Sequence, residues 1–111
     1  MTGFIRGAVR LHVLHHSAER EIHGAWMSQE LSGHGYSISP GTLYPLLHRM
    51  EDEGLLRSHQ RIEEGRVRRM YIITEAGRVE LDDQRRALAE LAREVLGYGV
   101  ASTDTDTGPK S

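Results

Sequence analysis

At 111 residues the chain amounts to one domain, too short for two ordinary ones, and 38% apolar residues allow a packed core without surplus. The absence of Cys excludes disulfides, thiolate metal sites and thiol catalysis; with no membrane-length apolar run and no signal-peptide pattern, a small cytoplasmic domain is expected. The net charge of −2 excludes bulk attraction to polyanions, yet residues 55–74 hold five arginines against Glu63 and Glu64 between net-acidic flanks.

In chain order, Phe4, Ala8, Leu11 and Leu14, widened by Ile5, Val9 and Val13, predict a helix over residues 2–16 buried on more than one side. The polar run Ser17–Glu21 is expected to break it. A second helix follows over roughly 20–32, stopped by Gly33 and Gly35, with Met27 and Leu31 on one face and Ile22 and Trp26 paired on another. Ser39 caps a third helix and Pro40 suits its first position. Leu43, Leu46, Leu47 and Met50 form its buried face. Opposite them lie Gly41, Pro45, His48 and Asp52, flanked by Thr42, Tyr44 and Arg49. Pro45 removes a backbone hydrogen bond, so a kink or a 3₁₀-like start is expected there. Gly54 ends the helix.

Two β-prone runs, 55–62 and 67–74, joined through Glu63-Glu64-Gly65-Arg66, predict a hairpin whose turn is ringed by Arg61, Arg66, Arg68 and Arg69. Thr74 caps a last helix over 75–98, where Leu81, Leu88 and Val95 recur every seven residues with Leu91 and Tyr98 between them and Gln84 the polar exception. The seam suits pairing with another helix, in a second copy or in the same chain. Residues 99–111 are polar and expected to be disordered. The expected fold is mainly α with a small β-hairpin (α+β): a winged helix-turn-helix over 1–74, a dimerisation helix over 75–98 and a tail over 99–111.

The string Ser39-Pro40-Gly41-Thr42-Leu43-Tyr44-Pro45-Leu46-Leu47-His48-Arg49-Met50-Glu51, with Gly54-Leu55-Leu56, Gly65-Arg66-Val67-Arg68-Arg69-Met70-Tyr71 and Ile73-Thr74-Glu75-Ala76-Gly77, resembles the PadR family of bacterial transcriptional regulators over essentially residues 4–98. His23-Gly24 matches the family's helix-2 opening, whereas Trp26 departs from the polar residue of many relatives. The resemblance implies a homodimeric repressor of the short subtype, whose last helix crosses to the partner subunit.

A helix fits the major groove, so DNA binding is expected to use Ser39, Gly41, Thr42, Tyr44, Pro45, His48 and Arg49 on the third helix. Gly41 and Thr42 permit close backbone approach, and Arg49 serves either a guanine edge or a phosphate. Arg61, Arg66, Arg68 and Arg69 would follow backbone or minor groove, though Glu63 and Glu64 argue against all four touching DNA at once. Pairing is expected through Leu11, Leu81, Leu88, Leu91 and Val95, giving an inverted-repeat operator bound by one dimer. Trp26 is a candidate wall of a small-molecule effector pocket, against plain packing.

No cofactor is expected, nor enzymatic activity, since no catalytic triad or phosphate-cradling loop is present. Two alternatives stand: a metal-sensing repressor using His12 and His16 with His15, His23 and the carboxylates Glu19 and Glu21, or a winged-helix adaptor that binds protein and no DNA, against which the wing arginines speak.

Overall fold

Helices in this chain begin where a polar side chain can take up backbone N–H groups that have no helical partner. Thr2 Oγ1 accepts from the Ile5 N–H at 3.2 Å, His23 Nδ1 from Trp26 at 3.4 Å, Ser39 Oγ from Thr42 at 3.3 Å and Thr74 Oγ1 from Gly77 at 3.0 Å. The resulting elements are α1 (Gly3–Glu19), α2 (Gly24–Gly33), α3 (Pro40–Asp52), β1 (Leu56–Glu63), β2 (Arg66–Ile73) and α4 (Glu75–Leu96). This computed structural model describes residues 1–97; Tyr98 and the 99–111 tail lie outside the described residues. The α+β class and the winged helix-turn-helix order match the expectation.

Three local details differ from it. α1 runs on to Glu19, because the Ser17 hydroxyl donates back to the Leu14 carbonyl at 3.2 Å and is buried instead of breaking the helix. Ile22 is not in α2 at all. It is paired in antiparallel fashion with Tyr71, exchanging hydrogen bonds of 2.9 and 2.7 Å, so the segment before α2 adds a third, one-residue rung to the hairpin. Pro45 interrupts nothing: Pro40–Asp52 is continuous α-helix without a 3₁₀ start, with Pro45 on its exposed side.

The hairpin is antiparallel, with Leu56 opposite Ile73 and Glu63 opposite Arg66, closed by the two-residue loop Glu64-Gly65. Both loop residues have positive φ, +51° and +76°, the requirement of a type I′ turn, which matches the twist of the strands.

The chain divides into two compact units, Met1–Leu81 and from Asp82 onward, so the first runs past the expected boundary at residue 74. Its core gathers Val9, Val13 and Leu14 of α1, Ile22, Met27 and Leu31, the predicted α3 face Leu43, Leu46, Leu47 and Met50, and Leu56, Tyr71, Ile73 and Leu81. Each such side chain contributes about 1.5–3 kcal/mol on burial. The start of α4 joins this core by backbone approach: a Cβ on Gly77 would collide with the Leu55 carbonyl oxygen and the Ile73 side chain, so only glycine fits. The described part of the second unit is helix, with Leu88, Leu91, Val95 and Leu96 exposed.

Candidate nucleic-acid interface

The face of α3 turned away from the core carries Ser39, Gly41, Thr42, Tyr44, Pro45, His48 and Arg49, and all seven are exposed. Its first turn is fixed by the Ser39 cap, whose hydroxyl also meets Thr42 Oγ1 at 3.3 Å. Tyr44 does not project freely. Its ring lies over Gly24, the first residue of α2, so closely that a Cβ there would strike the ring. The N-terminus of α2 is thereby packed on the exposed face of α3, and Gly24 sets where the Tyr44 hydroxyl stands.

Along the hairpin, side chains alternate between faces. The register puts Arg61, Arg66 and Arg68 on one face, and Arg69 on the other with Tyr71 and Ile73. The four arginines expected together also differ in their ion-pair partners. Arg61 is ion-paired with Glu21 and, at 3.5 Å, with Glu63; Arg68 lies 3.4 Å from Glu63 and 3.2 Å from His23 Nδ1. Arg69 donates to Ser58 Oγ at 2.9 Å, and Ser58 in turn donates to the Glu51 carboxylate of α3 at 2.8 Å. Arg66, at the turn, makes no ion pair among the described residues, and neither do Arg49 and Arg57. The wing arginines Arg61 and Arg68 thus meet Glu63 and Glu21, and Glu64 makes no ion pair among the described residues.

Sequence reasoning missed three residues that arrange this surface: Glu21, Glu51 and His23. Glu21 accepts from His59 at 2.6 Å as well as pairing with Arg61. Those contacts hold the Glu21 carboxyl below its usual range, the His59 hydrogen bond most, and hold His59 above its own, the Glu21 hydrogen bond most. Glu51 ties α3 to β1 through the Ser58 N–H at 3.0 Å and the Ser58 hydroxyl. His23 caps α2 while facing Arg68, and burial followed by the Arg68 charge pushes it down. No spacing signal marks the Glu21 and Glu51 contacts, since their partners lie on other elements.

Tyr44 and the wing meet across a cleft of about 430 Å³ lined by His23, Ala25, Tyr44, Gln60, Arg66, Val67, Arg68 and Arg69. Arg66, Arg68 and Arg69 of the hairpin and Tyr44 of α3 therefore open toward the same space, whereas Arg61, His48 and Arg49 are not among its lining. The arrangement gathers guanidinium groups and the Tyr44 hydroxyl around one cleft, donors suited to phosphates and groove edges.

Of the candidate pairing residues, Leu81 is corrected: it is 3% exposed and belongs to the core of the first unit, because the first two turns of α4 pack there. Leu11 is half-buried against the same core, whereas Leu88, Leu91 and Val95 are 49%, 46% and 67% exposed. Trp26 is half-buried with its ring 5.4 Å from that of His16 and the Arg20 guanidinium 5.5 Å above it. These contacts pack Trp26 against His16 and Arg20, and Trp26 is not among the residues lining the cleft described above. Among the described residues no helix is long and apolar enough to cross a membrane.

Comparison with known proteins agrees with this geometry. The model of the transcriptional regulator PadR-like family matches residues 13–83. The transcriptional regulator Rv3488 of Mycobacterium tuberculosis is 65% identical over 97 residues, spanning 87% of this chain and 91% of that protein. A PadR-like transcriptional regulator from Bacillus cereus has a similar crystal structure, with TM-score 0.79 and 26% identity over 86% of this chain and 95% of its own. PadR of Bacillus subtilis, solved in complex with operator DNA, shares the fold at TM-score 0.63 and 23% identity, over 69% of this chain and 45% of that one. Members of this family are regulators and not enzymes; the chain belongs to the PadR-like family of transcriptional regulators.

Proposed function

We propose that the chain is a cytoplasmic, sequence-specific DNA-binding repressor that acts as a homodimer on an inverted-repeat operator and answers to an effector. The observation that carries the reading is the shared cleft: Tyr44 of α3 and Arg66, Arg68 and Arg69 of the wing open toward one space. A helix laid in the major groove from this side presents Gly41 and Thr42 to a phosphate and Tyr44, Pro45, His48 and Arg49 to base edges and sugars. Ser39 positions that helix start. Arg66, without an ion pair, meets phosphate first; Arg61 and Arg68 must exchange Glu21 and Glu63 for it, so they position the protein more than they add affinity. A PadR of the same fold is solved in complex with operator DNA, which supports DNA as the partner in this reading.

Two copies are needed because one monomer offers few cations. The exposed Leu88, Leu91 and Val95, with Leu11 on α1, are the pairing surface of this reading, and a dimer sets half-sites about one helical turn apart.

The test is fluorescence anisotropy on the DNA upstream of the protein's own coding region. Binding is expected to weaken steeply and linearly on log–log axes with salt, and Arg66→Ala with Arg49→Ala, present in both subunits, to flatten that slope by about four ion releases per dimer. Binding no tighter than to random DNA, or a slope near zero, would overturn the reading. A protein-only adaptor would give that result.

A further inference from the structure

Away from the cleft, the C-terminal half of α1 and the facing part of α2 gather four histidines and two carboxylates. His15, His16 and Glu19 each offer one ligand atom, all within 4.8 Å of one another. Glu19 Oε2 lies 3.7 Å from His15 Nε2, and Glu30 Oε2 of α2 lies 3.6 Å from His16 Nε2 and 3.1 Å from His34 Nε2. The His12 ring completes the group, 6.1 Å from His16 and 5.2 Å from His34.

An ordinary solvated helix face pairs its carboxylates with whatever cations are near, and in this chain those are arginines. Glu53, Glu63, Asp83 and Glu90 all have arginine partners, and Glu21 takes Arg61 as well as His59. Glu19 and Glu30 are different: among the described residues their only ion-pair partners are histidines. Imidazoles and carboxylates grouped without a permanent cation leave charge that a metal ion would balance.

We propose that His15, His16 and Glu19 bind one divalent transition-metal ion, with Glu30 the fourth ligand that joins α2 to α1. Two imidazole nitrogens and one carboxylate oxygen are a zinc-type donor set, which cobalt, nickel and copper also accept and which magnesium and calcium do not favour. Ligand atoms about 2.0–2.2 Å from a tetrahedral metal stand ~3.4 Å apart, close to the 3.7 Å between His15 and Glu19 and the 3.6 Å between His16 and Glu30. His15 and Glu19 are a helical i,i+4 pair, and His15 is half-exposed, which leaves ions a way in. Glu30 sits on the helix whose first residue, Gly24, supports the Tyr44 ring, so the ion bridges the two helices behind the proposed DNA surface. Only this regulatory consequence rests on the function proposed above; the site stands without it.

Trp26, the one tryptophan of the chain, reports directly on the site, with its ring 5.4 Å from His16. Untagged full-length protein, without DNA, is titrated with zinc chloride by calorimetry and with cobalt and copper chlorides by absorption and Trp26 fluorescence. One equivalent of zinc is expected, together with visible tetrahedral cobalt bands and quenching by copper. His15→Gln and Glu19→Gln, on the exposed side of the cluster, each weaken binding more than tenfold with unchanged circular dichroism, whereas His59→Gln on the wing leaves it intact. Absence of a zinc isotherm, or wild-type affinity in both the His15 and Glu19 variants, would overturn the proposal. Because no DNA is present, failure here leaves the operator reading standing, and loss of operator binding leaves this site standing.

Discussion

At His23 one ring nitrogen faces two donors, the Trp26 N–H at the start of α2 and the Arg68 guanidinium of the wing. Both contacts need Nδ1 unprotonated. Burial and Arg68 depress the pKa, against a smaller opposing effect of Glu63. The folded protein therefore favours the neutral ring more than the unfolded chain does. The stability this contributes is complete above the unfolded value of about 6.5 and is lost as pH falls from there through the folded value. His12 and His16 are pushed down in the same direction, burial being the largest cause in each. His23→Asn keeps a capping acceptor without a titrating group. The stability difference between wild type and this variant, measured by urea unfolding, is expected to fall as pH drops from about 7.5 to 5; a difference constant across that range would remove His23 from the acid response. The capping role was not legible from periodicity, which started the helix near residue 20; only the resemblance of His23-Gly24 to the family's helix-2 opening pointed to it. The pairing with Arg68, 45 residues away, was not legible at all.

Among the elements, the wing shows most clearly where sequence patterns suffice. Alternating β-prone residues around a Gly-containing turn foretold the hairpin, and the observed loop is Glu64-Gly65. Glu64 holds φ +51°, a region that suits Asn better than Glu. Glu64→Asn is expected to stabilise the protein by about 0.5–1 kcal/mol, seen as a higher thermal midpoint. An unchanged or lower midpoint would mean that the turn carries no such strain. α3 was equally legible: a Ser-Pro start, an apolar face at helical spacing and an exposed face opposite all appear as expected. α2 was not, because Ile22 fits helical spacing with Trp26 equally well. The Ile22–Tyr71 pairing wins by satisfying two backbone groups that a longer α2 would take elsewhere.

For the molecule as a whole, the proposed activity calls for two copies, and the pairing surface assigned to them in that proposal is the exposed apolar face of α4. Its heptad pattern reads as one seam, but Leu81 is in the core of the first unit while Leu88, Leu91 and Val95 are exposed. Periodicity alone could not divide the seam, since either partner rewards the same spacing. Leu88→Asp with Leu91→Asp is expected to halve the mass seen by light scattering and to weaken operator binding at least tenfold, while the first unit keeps its circular dichroism. A dimer surviving both changes would move the pairing surface away from α4.

Taken by itself, the amino-acid order determined the succession of elements, the buried α3 face, the exposed candidates from Ser39 to Arg49, and the concentration of arginine in the hairpin. These follow from local rules: side-chain period, caps and turn chemistry act over a few residues. Only the tertiary structure decided which arginines keep their charge free, that Tyr44 leans on Gly24, that Leu81 is core, and that Glu30 turns toward the histidines of α1. Each of these depends on a partner brought close by packing, and Coulomb and contact energies depend on distance in space, which spacing along the chain does not set.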